Sequence, residues 1–85
     1  MGIVYVLKSL KNLSYYVGST DNIERRLKEH QAGKSKYTSH ILPVELVFEQ
    51  KFDTLFEARK KEHWLKALKS KSILEKIIED GFMRR

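Results

Sequence analysis

Five residues of this 85-residue chain have types and spacings that packing alone does not account for. On one stretch, Ile23, Arg26, Leu27 and His30 recur at the i, i+3, i+4, i+7 interval that turns toward a core when the backbone is helical, so a guanidinium and an imidazole share a stripe with two aliphatics. Arg25, Lys28 and Glu29 are expected to face solvent. Further on, Leu55, Ala58, Glu62 and Leu65 share a face in the same way, which sets a carboxylate in an apolar row that Lys60 and Lys61 avoid. A carboxylate held there must be paired, protonated or bound to a metal, because burying it bare costs several kcal/mol or more. Tyr5 and Tyr16 add two phenols in segments of β character. Each feature has a plainer reading: Arg26 and His30 at the edge of their stripe with heads in water, Glu62 in a salt bridge to Arg26, and the tyrosines as half-buried strand aromatics. Taken together, two phenols, an arginine, a histidine and one displaced glutamate form a set suited to cutting a phosphodiester.

The elements that must position these residues follow from local pattern. Ile3 to Leu7 is an unbroken run of β-branched, aromatic and aliphatic residues, which reads as a strand covered on both faces and therefore central in its sheet. After a polar stretch from Lys8 to Ser14, Tyr15 to Gly18 resumes β character, and the two runs predict a hairpin. Asp21 and Glu24 have the spacing of a capping box and predict a helix ending near Gly33. Residues 34 to 42, with Lys34, Lys36 and His40, form a basic loop and a candidate contact surface, closed by Pro43 before a third strand over Val44 to Gln50. Thr54 and Glu57 predict a second cap and a long helix to about Leu68. Lys69 to Ser72 marks a break, and Ile73, Leu74, Ile77 and Ile78 a third helix that Gly81 ends. The order is β-β-α-β-α-α, an α/β chain of the α+β type with a three-stranded, mostly antiparallel sheet flanked by helices.

So short a chain predicts one domain over residues 1–85, since any internal boundary leaves pieces too small to fold. Apolar residues at 41% support a packed core rather than a disordered tail. Seventeen Lys and Arg against eleven Asp and Glu leave a charge of +6, which suits a polyanion such as nucleic acid, although an anionic membrane or simple solubility would also account for it. The absence of cysteine excludes disulfides and thiolate metal sites. The first apolar run is too short for a leader core or a membrane span, and the expected compartment is the cytoplasm.

In order and spacing, these residues resemble the GIY-YIG nuclease family, with its small bacterial single-domain members the nearest pattern. Ile3-Val4-Tyr5 is similar to the first name-giving motif and Tyr16-Val17-Gly18 to the second. Gly18 to Leu27 with His30 resembles the family's arginine-bearing helix, and Phe52-Asp53 through Ala58 to Glu62 the segment ending in its metal-binding glutamate. Ile3 stands where the first motif has glycine. No asparagine follows Asn22, whereas larger members carry one beyond the glutamate; Lys66, Ser70 or Lys71 would contact phosphate in its place.

The resemblance implies a metal-dependent endonuclease acting on nucleic acid, DNA first, in repair or recombination, with a protein partner for targeting. One divalent cation, Mg2+ or Mn2+, would bind Glu62. Tyr5 would act as general base, its phenol lowered from about 10 by nearby positive charge, from Arg26 or from the metal-bound assembly. Arg26 would stabilise phosphate charge and His30 relay a proton or hold Tyr5. Tyr16 would orient water or phosphate, and Gly18 let the chain pass close to substrate. Lys34, Lys36, His40, Lys66 and Lys71 would contact nucleic acid. The rival reading is a binding module that keeps the fold without cutting.

Overall fold

A computed structural model describes residues 1–83, and residues 84–85 of the single-domain reading lie outside the described residues. The elements are β1 (Gly2–Ser9), β2 (Tyr15–Thr20), α1 (Ile23–Gln31), β3 (Val44–Phe52), α2 (Leu55–Leu68) and α3 (Lys71–Asp80), in the order expected. The sheet runs β2-β1-β3 and is antiparallel throughout. β1, the apolar run, is central, and it is buried from Gly2 to Leu7.

Because side chains alternate along a strand, β1 feeds two different cores. Val4 and Val6 join Val17, Phe48, Ala58, Leu65, Ile77 and Met83 on the face covered by α2 and α3. Tyr5 and Leu7 join Val44 on the other face, packed by Ile23 and Leu27 of α1 and by Ile41 and Leu42 of the following loop. Gly2 permits the close seating of α2: a Cβ there would lie 2.6 Å from the Leu55 Cα and 2.7 Å from the Thr54 carbonyl oxygen.

Several local details differ from expectation. α1 is capped by Asn22, whose side chain accepts from the Arg25 backbone N–H, while Asp21 pairs with the Arg25 side chain at 2.7 Å. The cap thus lies one residue later than the Asp21–Glu24 spacing indicates, because Thr20 Oγ1 accepts from the Asn22 N–H and holds that residue extended. β3 runs two residues past Gln50, and its pairing with β1 shifts register between Val6 and Leu7: Phe48 faces Val6 but Leu46 faces Leu7, which leaves Val47 unopposed. α2 is capped by Thr54, which accepts from the Glu57 N–H, and it ends at Lys69 in the left-handed conformation. Ser70 caps α3, which closes at Gly81.

Candidate active site

Tyr5 projects from the middle of β1 toward α1 and is 1% exposed. Its ring lies across Gly18, the residue paired with it on β2; a Cβ at Gly18 would fall 2.5 Å from the phenolic oxygen. Glycine is therefore needed at position 18 to seat the Tyr5 ring. The phenol meets His30 Nε2 at 2.9 Å, and His30 Nδ1 lies 2.7 Å from Thr38 Oγ1 in the loop after α1. His30 and Thr38 are both fully buried.

Arg26, one turn before His30, sets its positive charge beside the same phenol. The Tyr5–Nε2 and Nδ1–Thr38 contacts are coupled through the ring, because a neutral imidazole donates at one nitrogen and accepts at the other.

Burial pushes the Tyr5 phenol up to about 12, and the neighbouring Tyr16 and Glu62 add to that rise, while Arg26 offsets only part of it. Arg26 does pull this phenol down as expected, but loss of water around the ring outweighs the cation. His30 is lowered to about 4, first by burial and then by the Arg26 charge, so the imidazole is neutral near pH 7. Arg26 is held firmly charged, chiefly by its bond to Glu29 at 3.0 Å. Glu29, expected to face solvent, folds back along α1 to make that pair.

Tyr16 completes the aromatic cluster, with its ring centroid 6.4 Å from Tyr5 and 5.2 Å from His30. Glu62 arrives from the opposite side of the sheet. Its carboxylate accepts a hydrogen bond from Ser19 Oγ on β2 and an ion pair from Lys66 Nζ at 2.7 Å. The partner anticipated from the sequence, Arg26, is taken by Glu29, because α1 and α2 pack on different faces. The Lys66 ammonium also lies 5.6 Å from the centre of the Tyr16 ring. β2 is an edge strand, and the two sets of side chains meet around that edge.

The structure therefore brings together Tyr5, Tyr16, Arg26, His30 and Glu62, with Gly18 beneath them and Lys66 at the rim. The assembly opens outward: side-chain exposure rises from 20% at Glu62 and 31% at Arg26 to 49% at Lys66. Lys71 stands apart, 5.9 Å from the Tyr15 ring centre, in a groove of about 410 Å³ that it shares with Lys66, Lys69 and Ser70. Lys34, Lys36 and His40 are exposed on the 34–42 loop. Ser19 and Thr38 were missed from the sequence. Neither has a periodic signal, since one owes its place to strand register and the other to how a loop folds over α1.

Among the described residues there is no cluster of three or more His, Cys, Asp or Glu able to cage a metal. The donor available for a divalent ion is one carboxylate, Glu62, whose cationic partner is a half-exposed lysine. Such a donor fits a hard cation that keeps most of its water.

A family model described as the GIY-YIG catalytic domain matches residues 1–76. The chain belongs to the GIY-YIG family. That family is one of nucleases, and its substrates are nucleic acids. The chain is 44% identical over 78 residues to a UPF0213 protein of Natronomonas pharaonis, covering 91% of this chain and 89% of that one. A UPF0213 protein of Bacillus licheniformis is 46% identical over 77 residues, covering 89% and 77%. The solution NMR structure of a UPF0213 protein from Bacillus halodurans superimposes with a TM-score of 0.58 at 36% identity, covering 93% of this chain and 84% of that one. Among the described residues of this GIY-YIG protein, no helix is long and apolar enough to cross a membrane.

Proposed function

We propose that the protein acts as one domain and is a divalent-metal-dependent endonuclease, hydrolysing a phosphodiester bond in DNA by a proton relay through Tyr5 and His30. The observation that carries the reading is the buried Tyr5–His30–Thr38 chain ending beside Arg26 and Glu62. A packing role alone does not call for three polar groups bonded in series beside a guanidinium and a carboxylate.

With the phenol pushed up to about 12, a free phenolate is a rare species at neutral pH. Tyr5 serves better as a conduit. Its oxygen takes a proton from the attacking water while its own proton passes to His30 Nε2, and Thr38 accepts from Nδ1–H of the imidazolium that results. The new P–O bond forms from that water, the bond to the leaving oxygen breaks, and the leaving oxygen takes a proton from solvent. His30 then returns its proton by the same route. Its low basicity at rest keeps it neutral and ready to accept, and the negative charge of a bound phosphate favours the imidazolium. Arg26, paired with Glu29, has further N–H groups for the phosphate oxygens as they gain charge. Glu62 would hold Mg2+ or Mn2+, which when bound polarises the phosphate and steadies the leaving oxygen. With Glu62 holding such an ion, Lys66 would turn, with Lys71, to the substrate backbone.

Repair or recombination in the cytoplasm is the setting we infer from family membership, with Lys34, Lys36 and His40 as outer phosphate contacts. A second reading, a non-cutting binding module, is favoured by one feature: Glu62 and Arg26 are each already engaged by a side chain of opposite charge. Incubation with branched, nicked and single-stranded DNA and with RNA, in Mg2+, Mn2+ or chelator, separates the two. Metal-dependent cleavage that is lost in Glu62→Ala and in Arg26→Ala supports the enzyme. Binding without cleavage by the parent and by both variants supports the module.

A further inference from the structure

Tyr37 is 74% exposed, the most open of the large apolar or aromatic side chains among the described residues. Its exposure is not that of a loose loop. The next residue, Thr38, is fully buried and bonded to His30, and Ser35, two residues before, is 5% exposed. Ser39 N–H donates to the Ser35 carbonyl and Ile41 N–H to that of Thr38. Farther along, the Ile41 carbonyl accepts from Ser9 Oγ and the His40 carbonyl from Lys11 Nζ. The loop is thus pinned on both sides of a ring that it presents to water.

That ring also has a defined relation to the candidate active site. It lies against Tyr16 with centroids 6.5 Å apart and planes 23° from parallel. Tyr5, Tyr16 and Tyr37 therefore form a file of rings that begins at the buried phenol and ends in solvent. Lys34 and Lys36, exposed on the same loop, precede Tyr37 in the chain by three residues and by one.

We infer that Tyr37 is a stacking platform for an unpaired nucleobase within a nucleotide or two of the phosphate to be cut, and that the substrate is single-stranded or carries an unpaired segment there. A flat aromatic face beside cations matches both halves of a nucleotide, with the base on the ring and the phosphate on the ammonium groups. Inside a duplex, each base already has neighbours on both faces, so the ring has nothing to stack on unless a base leaves the helix or ends it. This inference rests on the nucleic-acid reading above and narrows it to a class of substrate.

The test measures binding in chelator, so that nothing is cut, to a single strand, to the same strand with one abasic site, and to a blunt duplex of the same sequence. The parent should prefer the single strand. Tyr37→Ala should weaken single-strand binding by about five- to 150-fold, the range of a lost base–aromatic stack, and leave duplex binding within about twofold. Tyr37→Trp should keep the preference, and scanning the abasic site along the strand should find a position that reproduces the loss in the parent but not in Tyr37→Ala. A 2-aminopurine at that position should be quenched by the parent and stay bright with Tyr37→Ala. Equal loss for single strand and duplex, or no loss at all, overturns the platform while leaving the nuclease reading intact. If the parent binds no nucleic acid, with or without metal, both fall. Thermal melting of the variants checks that this exposed position carries no folding role.

Discussion

The two faces of the sheet are buried to the same depth and built from different chemistry. Val4 and Val6 on one side and Tyr5 and Leu7 on the other are all at or below 1% exposure. Toward α2 and α3, the β1 side chains meet other apolar groups, and the binding energy between layers comes from area removed from water. Toward α1 and the 34–42 loop, an equally enclosed space holds a phenol, an imidazole and a hydroxyl. Among the described residues no buried side-chain nitrogen or oxygen lacks a partner. Depth of burial therefore does not distinguish the functional side of this molecule. The cost of burying polar atoms is offset by bonds that run in series, and the series ends at the open rim.

This contrast can be broken from either face. The largest stability effect should come from the dry side: Leu65→Ala, in the α2 core, should cost about 2–5 kcal/mol in denaturant unfolding and leave the activity of the folded fraction unchanged. Loss of specific activity in proportion to Leu65 truncation would show that the faces are not independent. Glu62→Ala should do the reverse, lowering metal-dependent cleavage by about a hundredfold or more, while stability moves by about 1 kcal/mol, because the Lys66 end of the ion pair is half exposed and well screened.

His30→Leu should affect both. It strands the Tyr5 hydroxyl and Thr38 Oγ1 at a cost of about 1–3 kcal/mol and removes the relay. If this variant cleaves like the parent, the mechanism above is wrong even if the nuclease is not.

Two smaller effects follow from protonation. The His30 imidazole sits near 4 in the folded chain against about 6.5 when unfolded. Between those values the unfolded chain binds the extra proton, so stability should fall as pH drops from about 6.5 toward 4, and His30→Gln should flatten that part of the profile. An imidazole NMR resonance of His30 that titrates near 6.5 would contradict it. At the alkaline end the sign is reversed in pH. Tyr5 holds its proton to about 12 when folded, so its contribution is lost as pH rises from about 10 through 12. The phenolate absorbance that Tyr5→Phe removes should therefore appear only near pH 12 in the folded protein.

Much of the scaffold could be read from local pattern, as the same residues show. β1 declares itself central because it is apolar on both faces, Thr54 with Glu57 marks a helix start, and the spacing of Arg26, His30 and Glu62 sets each on an inward face. These are properties of strand and helix periods, which depend on nothing farther away than a few residues. What each side chain meets is another matter. The pairing of Glu62 with Ser19 and Lys66, the seat of Tyr5 over Gly18, the Val47 irregularity, and the closing of the His30 bond by Thr38 join positions up to 43 residues apart. They depend on strand register and on which face a helix crosses. The same holds for the charge state of the phenol: sequence places a cation one turn from His30, and only the packed sheet shows that desolvation outweighs it.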